Sequence, residues 1–415
     1  MKLSTIFAVL AAAILVLLYS ITSEDSQLPK ALAFIAVDTD SRPLAPPDPL
    51  PTKRQQTLSA SRETGNVGPV TTTSRANPKQ ALQQLLTANQ ILVKTGDEEL
   101  LGRRVASDNR QLFLMLPSGH MRHLLWQEVV EALPVSQPFM ATDTTVLRQQ
   151  LQNEFGPAFR VDQSRDFLVV RPVSSRQPWL NRMQQFLGNT QTYFSMRQFP
   201  MSASPFPLVT VVFPNRQEWL AYAQRQQEPV TSGYVAYYSV YSNRVLLYES
   251  DSTEQNLSTI LHEAFHQIAF NCGLHYRSAT PPRWVAEGMA TAFEAPGMYD
   301  HRRSSTRSDR LHSYYHRTLP TYLDQAQLEG DLKRLLQSDD LFATEPDKAY
   351  CLSWAMAFYF MEFVPQRFAA YLESAHSPRP FRNYSTDLRL QHFQRLHPNG
   401  TRDLADRLKQ FFTQP

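Results

Sequence analysis

The segment 259–267 constrains the fold of this 415-residue chain more than any other, because it combines helical periodicity with three ionisable side chains. Its apolar residues recur at intervals of three and four, which predicts an amphipathic helix. His262 and His266 are four positions apart, so both imidazoles project from one helical face. Glu263 stands beside the first of them. Two imidazoles in this arrangement can bind one metal ion, and the carboxylate between them can act on water held there.

The flanking residues predict where this helix begins and ends. Ser252 and Gln255 have the spacing of a capping box, in which each side chain bonds the other residue's main-chain N–H. Gly273 can adopt the left-handed backbone that ends a helix. The apolar stripe of the helix leaves His262 and His266 at its border. We therefore expect the two imidazoles to line the wall of a cleft.

A catalytic zinc ion takes three protein ligands and keeps one position open, so a third ligand has to come from another element. Glu287 is the strongest candidate, because it lies beside the apolar stripe of a second predicted helix that begins at Pro282. A carboxylate buried there is costly unless it meets a cation. It follows His266 by 287 − 266 = 21 positions, enough for a turn and a returning helix. Glu294 is the rival ligand, although its place near the helix end suits an exposed or supporting role.

These residues carry a resemblance to a known group of enzymes. The motif His262-Glu263-x-x-His266, followed by Glu287 in the pattern W-x-x-E-G-x-A and later by Y-x-x-S-W, resembles the gluzincin branch of the zinc metallopeptidases. Within that clan the chain is similar to a bacterial family of uncharacterised, exported, peptidase-like proteins. The resemblance covers residues from about 139 to the C-terminus and is strong over 262–294.

The resemblance implies an α+β chain whose catalytic domain is zincin-like. In that fold a mixed sheet lies over the active-site helix, its edge strand binds an extended substrate, and the C-terminal part is helical. Carried over residue by residue, the resemblance makes His262, His266 and Glu287 the Zn²⁺ ligands and Glu263 the general base on zinc-bound water. Predicted strands at 233–240 and 244–249 form the hairpin that would supply the edge strand.

The chain also departs from the patterns of better-known gluzincins. Thr291 stands where thermolysin-like enzymes have an Asp that orients a ligand histidine. The G-x-M-E-N motif of exopeptidases is absent from the sequence, which argues against an aminopeptidase.

An oxyanion formed during hydrolysis needs a hydrogen-bond donor besides zinc. Tyr350 is the first choice for this catalytic role, because it opens the helix that resembles the family's later motif. Tyr299, Tyr314 and Tyr315 are alternatives.

Two cysteines, Cys272 and Cys351, cannot form a thiolate zinc site of familiar spacing. The resemblance implies that Cys351 lies near the helix with the His-Glu-x-x-His motif and near Cys272. A disulfide between the two cysteines and two buried free thiols both remain open. The basic segment 301–317, which includes His312, is predicted to be a solvated loop.

The N-terminal residues predict export. Lys2 precedes an apolar run over 3–21, and Glu24 and Asp25 follow, which is the pattern of an export signal. Residues 1–23 are therefore predicted to be a cleaved signal peptide or an N-terminal membrane anchor. The Pro-, Ser- and Thr-rich residues 24–78 predict a disordered linker. The folded part is expected in the periplasm, either free or anchored to the inner membrane.

Two folded parts are predicted beyond the linker. Alternating apolar runs and turn signals over 79–135 predict a small antiparallel β module, in which 126–132 forms a helical turn. Residues 139–415 are predicted to form the zinc peptidase-like domain.

With 41 basic and 38 acidic residues the net charge is only +3, which does not favour a nucleic-acid partner. The sequence leaves the oligomeric state open.

The sequence thus predicts a zinc metalloendopeptidase that hydrolyses peptide or protein substrates outside the cytoplasm. One alternative keeps the zinc chemistry but cleaves amide bonds in cell-wall peptide. Another alternative is a non-catalytic cell-envelope binding or scaffold protein with a structural or vestigial metal site.

Overall fold

The computed structural model describes residues 90–228, 234–253, 256–279, 281–300, 302, 306–375 and 384–413. The predicted export segment at 1–23 and the predicted linker at 24–78 lie outside the described residues, as does the start of the predicted β module. Among the helices of the described part, none is long and apolar enough to cross a bilayer.

Residues 90–134 form a five-stranded antiparallel sheet, here called the N-terminal sheet. Its strands are β1 (Gln90–Thr95), β2 (Glu99–Ser107), β3 (Gln111–Met115), β4 (Met121–Leu125) and β5 (Val129–Pro134). They lie in the order β4-β3-β2-β1-β5. A 3₁₀ turn at Trp126–Glu128 precedes β5, so the helical turn predicted over 126–132 is wrong beyond Glu128. The chain extends from Val129 onward because these residues pair with β1.

A second sheet, here called the mixed sheet, has both parallel and antiparallel strand pairs. Its strands are β6 (Phe159–Gln163), β7 (Phe167–Pro172), β8 (Leu208–Phe213), β9 (Ala236–Ser239) and β10 (Arg244–Tyr248). The order is β6-β7-β8-β10-β9, with β7, β8 and β10 parallel and the two outer strands antiparallel. The predicted hairpin is therefore present as β9 and β10, and β9 is an edge strand.

The rest of the described chain is mainly helical, and the predicted α+β class is confirmed. The helices before the His-Glu-x-x-His motif are α1 (Thr144–Phe155), α2 (Trp179–Met196) and α3 (Arg216–Arg225). Those from the motif onward are α4 (Leu257–Asn271), α5 (Arg283–Ala292), α6 (Pro296–Tyr299), α7 (Ser313–Leu323), α8 (Leu328–Gln337), α9 (Leu341–Thr344), α10 (Pro346–Phe363), α11 (Pro365–Ala375), α12 (Thr386–Leu396) and α13 (Gly400–Thr413).

Helix α4 contains the His-Glu-x-x-His motif and packs its apolar side chains into the largest core of the described chain. It begins at Leu257, so the capping box predicted at Ser252 is wrong. Ser250 and Thr253 instead close a turn ahead of the helix, where the Ser250 N–H donates to Thr253 Oγ1 at 2.8 Å. The helix ends at Asn271, and Gly273 adopts a φ of +87°, as predicted.

Helices α5 and α10 cross at very short range, and this crossing places Glu287. Helix α10 is buried along most of its length. A Cβ atom added to Gly288 would lie 2.2 Å from the main-chain oxygen of Ser353 and 3.0 Å from Ala357 Cβ. Only a residue without a side chain fits such an approach. The glycine that follows Glu287 in the sequence therefore sets the distance between the two helices.

Candidate metal centre

Three side chains from two helices converge where α4 meets α5. His262 Nε2 lies 3.1 Å from His266 Nε2 and 3.3 Å from Glu287 Oε2, and His266 Nε2 lies 4.0 Å from the same carboxylate oxygen. Within the part of the chain that the structure describes, this is the one group of His, Cys, Asp and Glu side chains arranged to hold a metal ion. Each of the three residues is buried.

The triangle of ligand atoms fits a tetrahedral metal ion. Zinc binds imidazole nitrogens and carboxylate oxygens at about 2.0–2.1 Å, so neighbouring ligand atoms of a tetrahedral site are about 3.3 Å apart. The separations of 3.1, 3.3 and 4.0 Å lie around that value. A small movement of His266 or Glu287 would complete the match.

Of the three side chains, Glu287 has the surroundings that most favour a bound cation. Its side chain has no solvent exposure, and within the described residues neither carboxylate oxygen makes a hydrogen bond of good geometry. Besides the two histidines, the cationic side chain paired with it there is Arg283, whose Nε lies 4.0 Å from Glu287 Oε1. A buried carboxylate with so little compensation is strongly destabilising unless a cation neutralises it. A metal ion bound by the two imidazoles would supply that charge.

The two histidines differ in their electrostatic surroundings. Burial alone would lower the pKa of His262, but its contacts with Glu287 and Glu294 outweigh burial and hold that pKa well above its ordinary value. Burial, together with the neighbouring charge of His262, holds the pKa of His266 well below its ordinary value. The carboxylates around His262 thus favour positive charge at the point where the three ligand atoms meet.

Glu263 is held at the centre by a main-chain donor. Its Oε2 accepts a hydrogen bond from the Tyr238 N–H of β9 at 2.8 Å, while Oε1 accepts none in the described residues. Burial raises the pKa of Glu263 to about 8, despite the opposing effect of His262. One oxygen is therefore fixed and the other is available to a proton, which is the arrangement a general base needs.

Glu294 does not join the group that could hold a metal ion but bonds His262, a member of that group. Its Oε1 accepts from His262 Nδ1 at 2.8 Å, and its Oε2 accepts from His312 Nε2 at 3.2 Å. Burial alone would raise its pKa, but the hydrogen bonds with His262 and His312 lower it to about 2, so the carboxylate is ionised at neutral pH. Because His262 bonds Glu294 through Nδ1, Nε2 is the nitrogen that it presents to His266 and Glu287 and that could bind a metal ion.

His312 is the functional side chain that the sequence did not single out. The predicted solvated loop instead turns inward here, because His312 caps α7 and accepts from the Tyr315 N–H at 3.3 Å. Its Nε2 then carries the proton that it donates to Glu294. The carboxylate seven positions after Glu287 is thereby fixed between His312 and His262, one of the three side chains that could hold a metal ion. No local pattern in the sequence marked His312, because its part in this group depends on where α7 begins.

We expect Glu294→Ala to weaken zinc binding by about 10- to 100-fold, because the hydrogen bond that sets the His262 tautomer is lost. Glu294→Gln should lie between wild type and Ala, since the amide oxygen can still accept from His262. Competition with a chelator of known zinc affinity measures the effect. Glu373→Ala, at an exposed position on α11, is the control and should bind zinc as wild type does. Equal affinities for Glu294→Ala and this control would remove Glu294 from the site.

Tyr350 is buried on α10. It contacts Arg283, whose Nε lies 4.0 Å from the Glu287 carboxylate. The Arg283 guanidinium donates to the Tyr350 hydroxyl at 3.5 Å and lies 4.5 Å over the ring of Phe342. Burial, followed by the nearby Glu287 carboxylate, raises the pKa of Tyr350 well above its ordinary value. Its hydroxyl therefore stays protonated and can act as a hydrogen-bond donor.

The alternative tyrosines occupy different surroundings. Tyr315 is buried beside His312, at a ring-centroid distance of 4.7 Å, whereas Tyr314 is half exposed. Tyr299 is partly buried at the end of α6.

The two cysteines are free and buried, so they do not form a disulfide in this structure. Burial raises the pKa of the Cys272 thiol to about 11 and that of the Cys351 thiol to about 12.

Comparison with protein families identifies one matching region. Residues 256–382 match the family described as "Protein of unknown function (DUF1570)". The DUF1570 region begins immediately before α4 and extends past α11. It contains all the side chains of the candidate metal centre, whereas Tyr238, whose main-chain N–H bonds Glu263, lies before it. No curated protein matches the chain. The family match thus coincides with the metal centre but carries no assigned chemistry.

Proposed function

We propose that this protein is a gluzincin-like zinc metalloendopeptidase that hydrolyses peptide bonds outside the cytoplasm. One observation supports the proposal above all others. The ligand atoms of His262, His266 and Glu287 converge within 4.0 Å, next to a buried Glu263 whose Oε1 accepts no hydrogen bond in the described residues. This is the donor set and the base that metal-assisted hydrolysis requires.

The number of ligands favours catalysis over a purely structural ion. Structural zinc sites are closed by four protein ligands, whereas catalytic sites use three and leave one position for water or substrate. Among the described residues, three side chains form the group, and the nearby Glu294 is already bonded to the other nitrogen of His262.

The chain's own residues suit the steps of hydrolysis. Zinc, when bound, would supply a Lewis acid that activates water and polarises a carbonyl group. Glu263 would take a proton on Oε1 from the attacking water and pass it to the leaving amine. Its Oε2 stays on the Tyr238 N–H during this transfer. Tyr350 would donate its hydroxyl proton in a hydrogen bond to the developing oxyanion.

The architecture supports a zincin-like interpretation. A mixed sheet with an antiparallel edge strand lies beside the helix with the His-Glu-x-x-His motif, and the C-terminal part is helical. The edge strand β9 is short and buried, and the N–H of Tyr238 is engaged with Glu263 rather than open to a substrate strand. Substrate hydrogen bonding along β9 would therefore involve positions other than the Tyr238 N–H.

The burial of the ligands favours one alternative, a structural metal site in a non-catalytic envelope protein. His262 is only 5% exposed, and His266 and Glu287 are fully enclosed. In that case metal would bind and stabilise the fold, but no peptide or murein amide would be cleaved.

We expect purified wild-type protein to hold about one zinc per chain and Glu287→Ala to hold almost none, because two imidazoles alone bind zinc weakly. Elemental analysis measures this, with Glu373→Ala as the control. The same preparations are tested on casein and on purified murein, before and after removal and return of zinc. Zinc-dependent cleavage of casein supports the endopeptidase, cleavage confined to murein supports the cell-wall alternative, and stoichiometric zinc without cleavage supports the structural site.

A further inference from the structure

A buried arginine joins the N-terminal sheet to the mixed sheet. Arg277 follows α4 and is 7% exposed. Its guanidinium donates to the main-chain oxygens of Val240 at 2.8 Å, Gly119 at 2.7 Å and Tyr241 at 3.2 Å. A buried guanidinium is tolerated when acceptors satisfy its N–H groups. Val240 and Tyr241 belong to the turn between β9 and β10, and Gly119 belongs to the turn between β3 and β4.

Two further contacts hold the N-terminal sheet against the rest of the described chain. The Met121 N–H at the start of β4 donates to the Tyr241 oxygen at 2.8 Å. Phe206, just before β8, packs with Met115 and Met121 of the N-terminal sheet. The N-terminal sheet is thus hydrogen-bonded to the β9–β10 turn and packed against Phe206, rather than separated from these elements as an independent module would be.

The β9–β10 turn is also pinned to α4. The side-chain amides of Asn243 and Asn271 exchange two hydrogen bonds, at 2.9 and 2.7 Å, and Asn243 Oδ1 also accepts from the Tyr238 hydroxyl at 2.8 Å. Gln267, next to the ligand His266, donates to the main-chain oxygen of Asn243 at 2.8 Å. Asn243 has a φ of +61°, so this turn is held in a backbone conformation that its contacts maintain.

The position of β9 sets the position of the base. The donor to Glu263 is a main-chain N–H, so it moves with the strand and not with a side chain. Strand β9 has four residues and, within the described part of the chain, pairs with β10 alone. A strand this short, with a partner on one side only, depends on the contacts at its turn to stay in place.

We propose that the N-terminal sheet is a positioning element of the centre, acting through Arg277, which holds the β9–β10 turn so that the Tyr238 N–H orients Glu263. The kinetic part of this inference rests on the proposed peptidase function. Arg277 is a positioning residue and does not touch the reacting atoms. The step it supports is proton transfer at Glu263 Oε1, which is sensitive to displacements of about 1 Å.

The test compares Arg277→Met and Arg277→Lys with wild type in the full chain. We expect Arg277→Met to lower kcat per bound zinc by roughly 10- to 100-fold. KM and zinc content should change by less than about twofold, because substrate and metal contacts remain. Arg277→Lys, which keeps the charge but cannot reach three oxygens, should recover part of the loss. Arg197→Met is the matched control, because Arg197 is also mostly buried. Its guanidinium lies 2.6 Å from Glu362 Oε1, so this variant removes a buried arginine contact away from the β9–β10 turn.

A second measurement does not depend on activity. Hydrogen exchange of peptides that contain β9 should be at least about tenfold faster in Arg277→Met than in wild type, and unchanged in Arg197→Met. If Arg277→Met does not fold, Arg277→Lys is measured in its place, with a smaller increase expected. Faster exchange without any peptidase activity in wild type would retain the positioning role while refuting the proposed function. Unchanged β9 exchange, or a loss of stability with unchanged kcat per zinc, would overturn the inference.

Discussion

Glu263→Gln is expected to keep the zinc and the fold but to lose peptide hydrolysis by about 10²- to 10⁴-fold, the range that general acid–base catalysis contributes. The amide has the same shape as the carboxylate, and its oxygen can still accept the Tyr238 N–H that now donates at 2.8 Å. An amide cannot take up a proton from water at neutral pH. The substitution therefore removes the chemistry without removing the contact.

Stability and metal content identify the cause of that loss. Burial raises the pKa of Glu263 to about 8, so ionisation of this side chain disfavours the folded state near neutral pH, and a neutral amide of the same shape should not lower stability. Thermal unfolding, zinc content and kcat/KM are measured on wild type, Glu263→Gln and the exposed control Glu373→Gln. Cleavage at the wild-type rate by Glu263→Gln would refute the mechanism.

Gly288→Ala is expected to destabilise the protein by about 3 kcal/mol, because a methyl group has no space between α5 and α10. An added Cβ would lie 2.2 Å from the main-chain oxygen of Ser353. Displacing main-chain atoms of a buried helix has a large free-energy cost. The helices must separate, and Glu287 moves with α5. Zinc affinity should therefore fall together with the free energy of unfolding.

Gly330→Ala is the matched control for this prediction. Gly330 lies in α8, where an added Cβ would meet no atom within 4 Å, and alanine in a helix is favoured over glycine by about 0.5–1 kcal/mol. Urea denaturation of both variants gives the two free energies, which should differ in sign. If Gly288→Ala is as stable as Gly330→Ala, the close helix crossing is not present in solution.

Local sequence patterns predicted much of the α4 and α5 helices. The four-residue spacing places His262 and His266 together on any α-helix, whatever surrounds it. Gly273 ends α4 because a left-handed residue is needed there. The start of α4 was predicted wrongly, since Ser250 and Thr253 satisfy one another and leave Ser252 outside the helix.

Contacts between distant parts of the chain were less visible in the sequence. The sequence named Glu294 as a candidate ligand. Its contacts with both His262 and His312 depend on where α7 begins, because that start places His312 beside the carboxylate. The bond from Tyr238 to Glu263 is made by a main-chain donor, and a main-chain donor is present at almost every residue. No residue type or spacing could therefore mark it.

The sequence by itself determined that His262, Glu263 and His266 lie close together, because helical geometry is local and residues four apart share one face. Only the tertiary structure decided how that set is held. The contact of Glu287 with the histidines depends on the α5–α10 crossing, and the orientation of Glu263 depends on β9 and the turn that Arg277 binds. These arrangements join residues far apart in the chain, and their geometry comes from packing and buried hydrogen bonds that no short sequence pattern encodes.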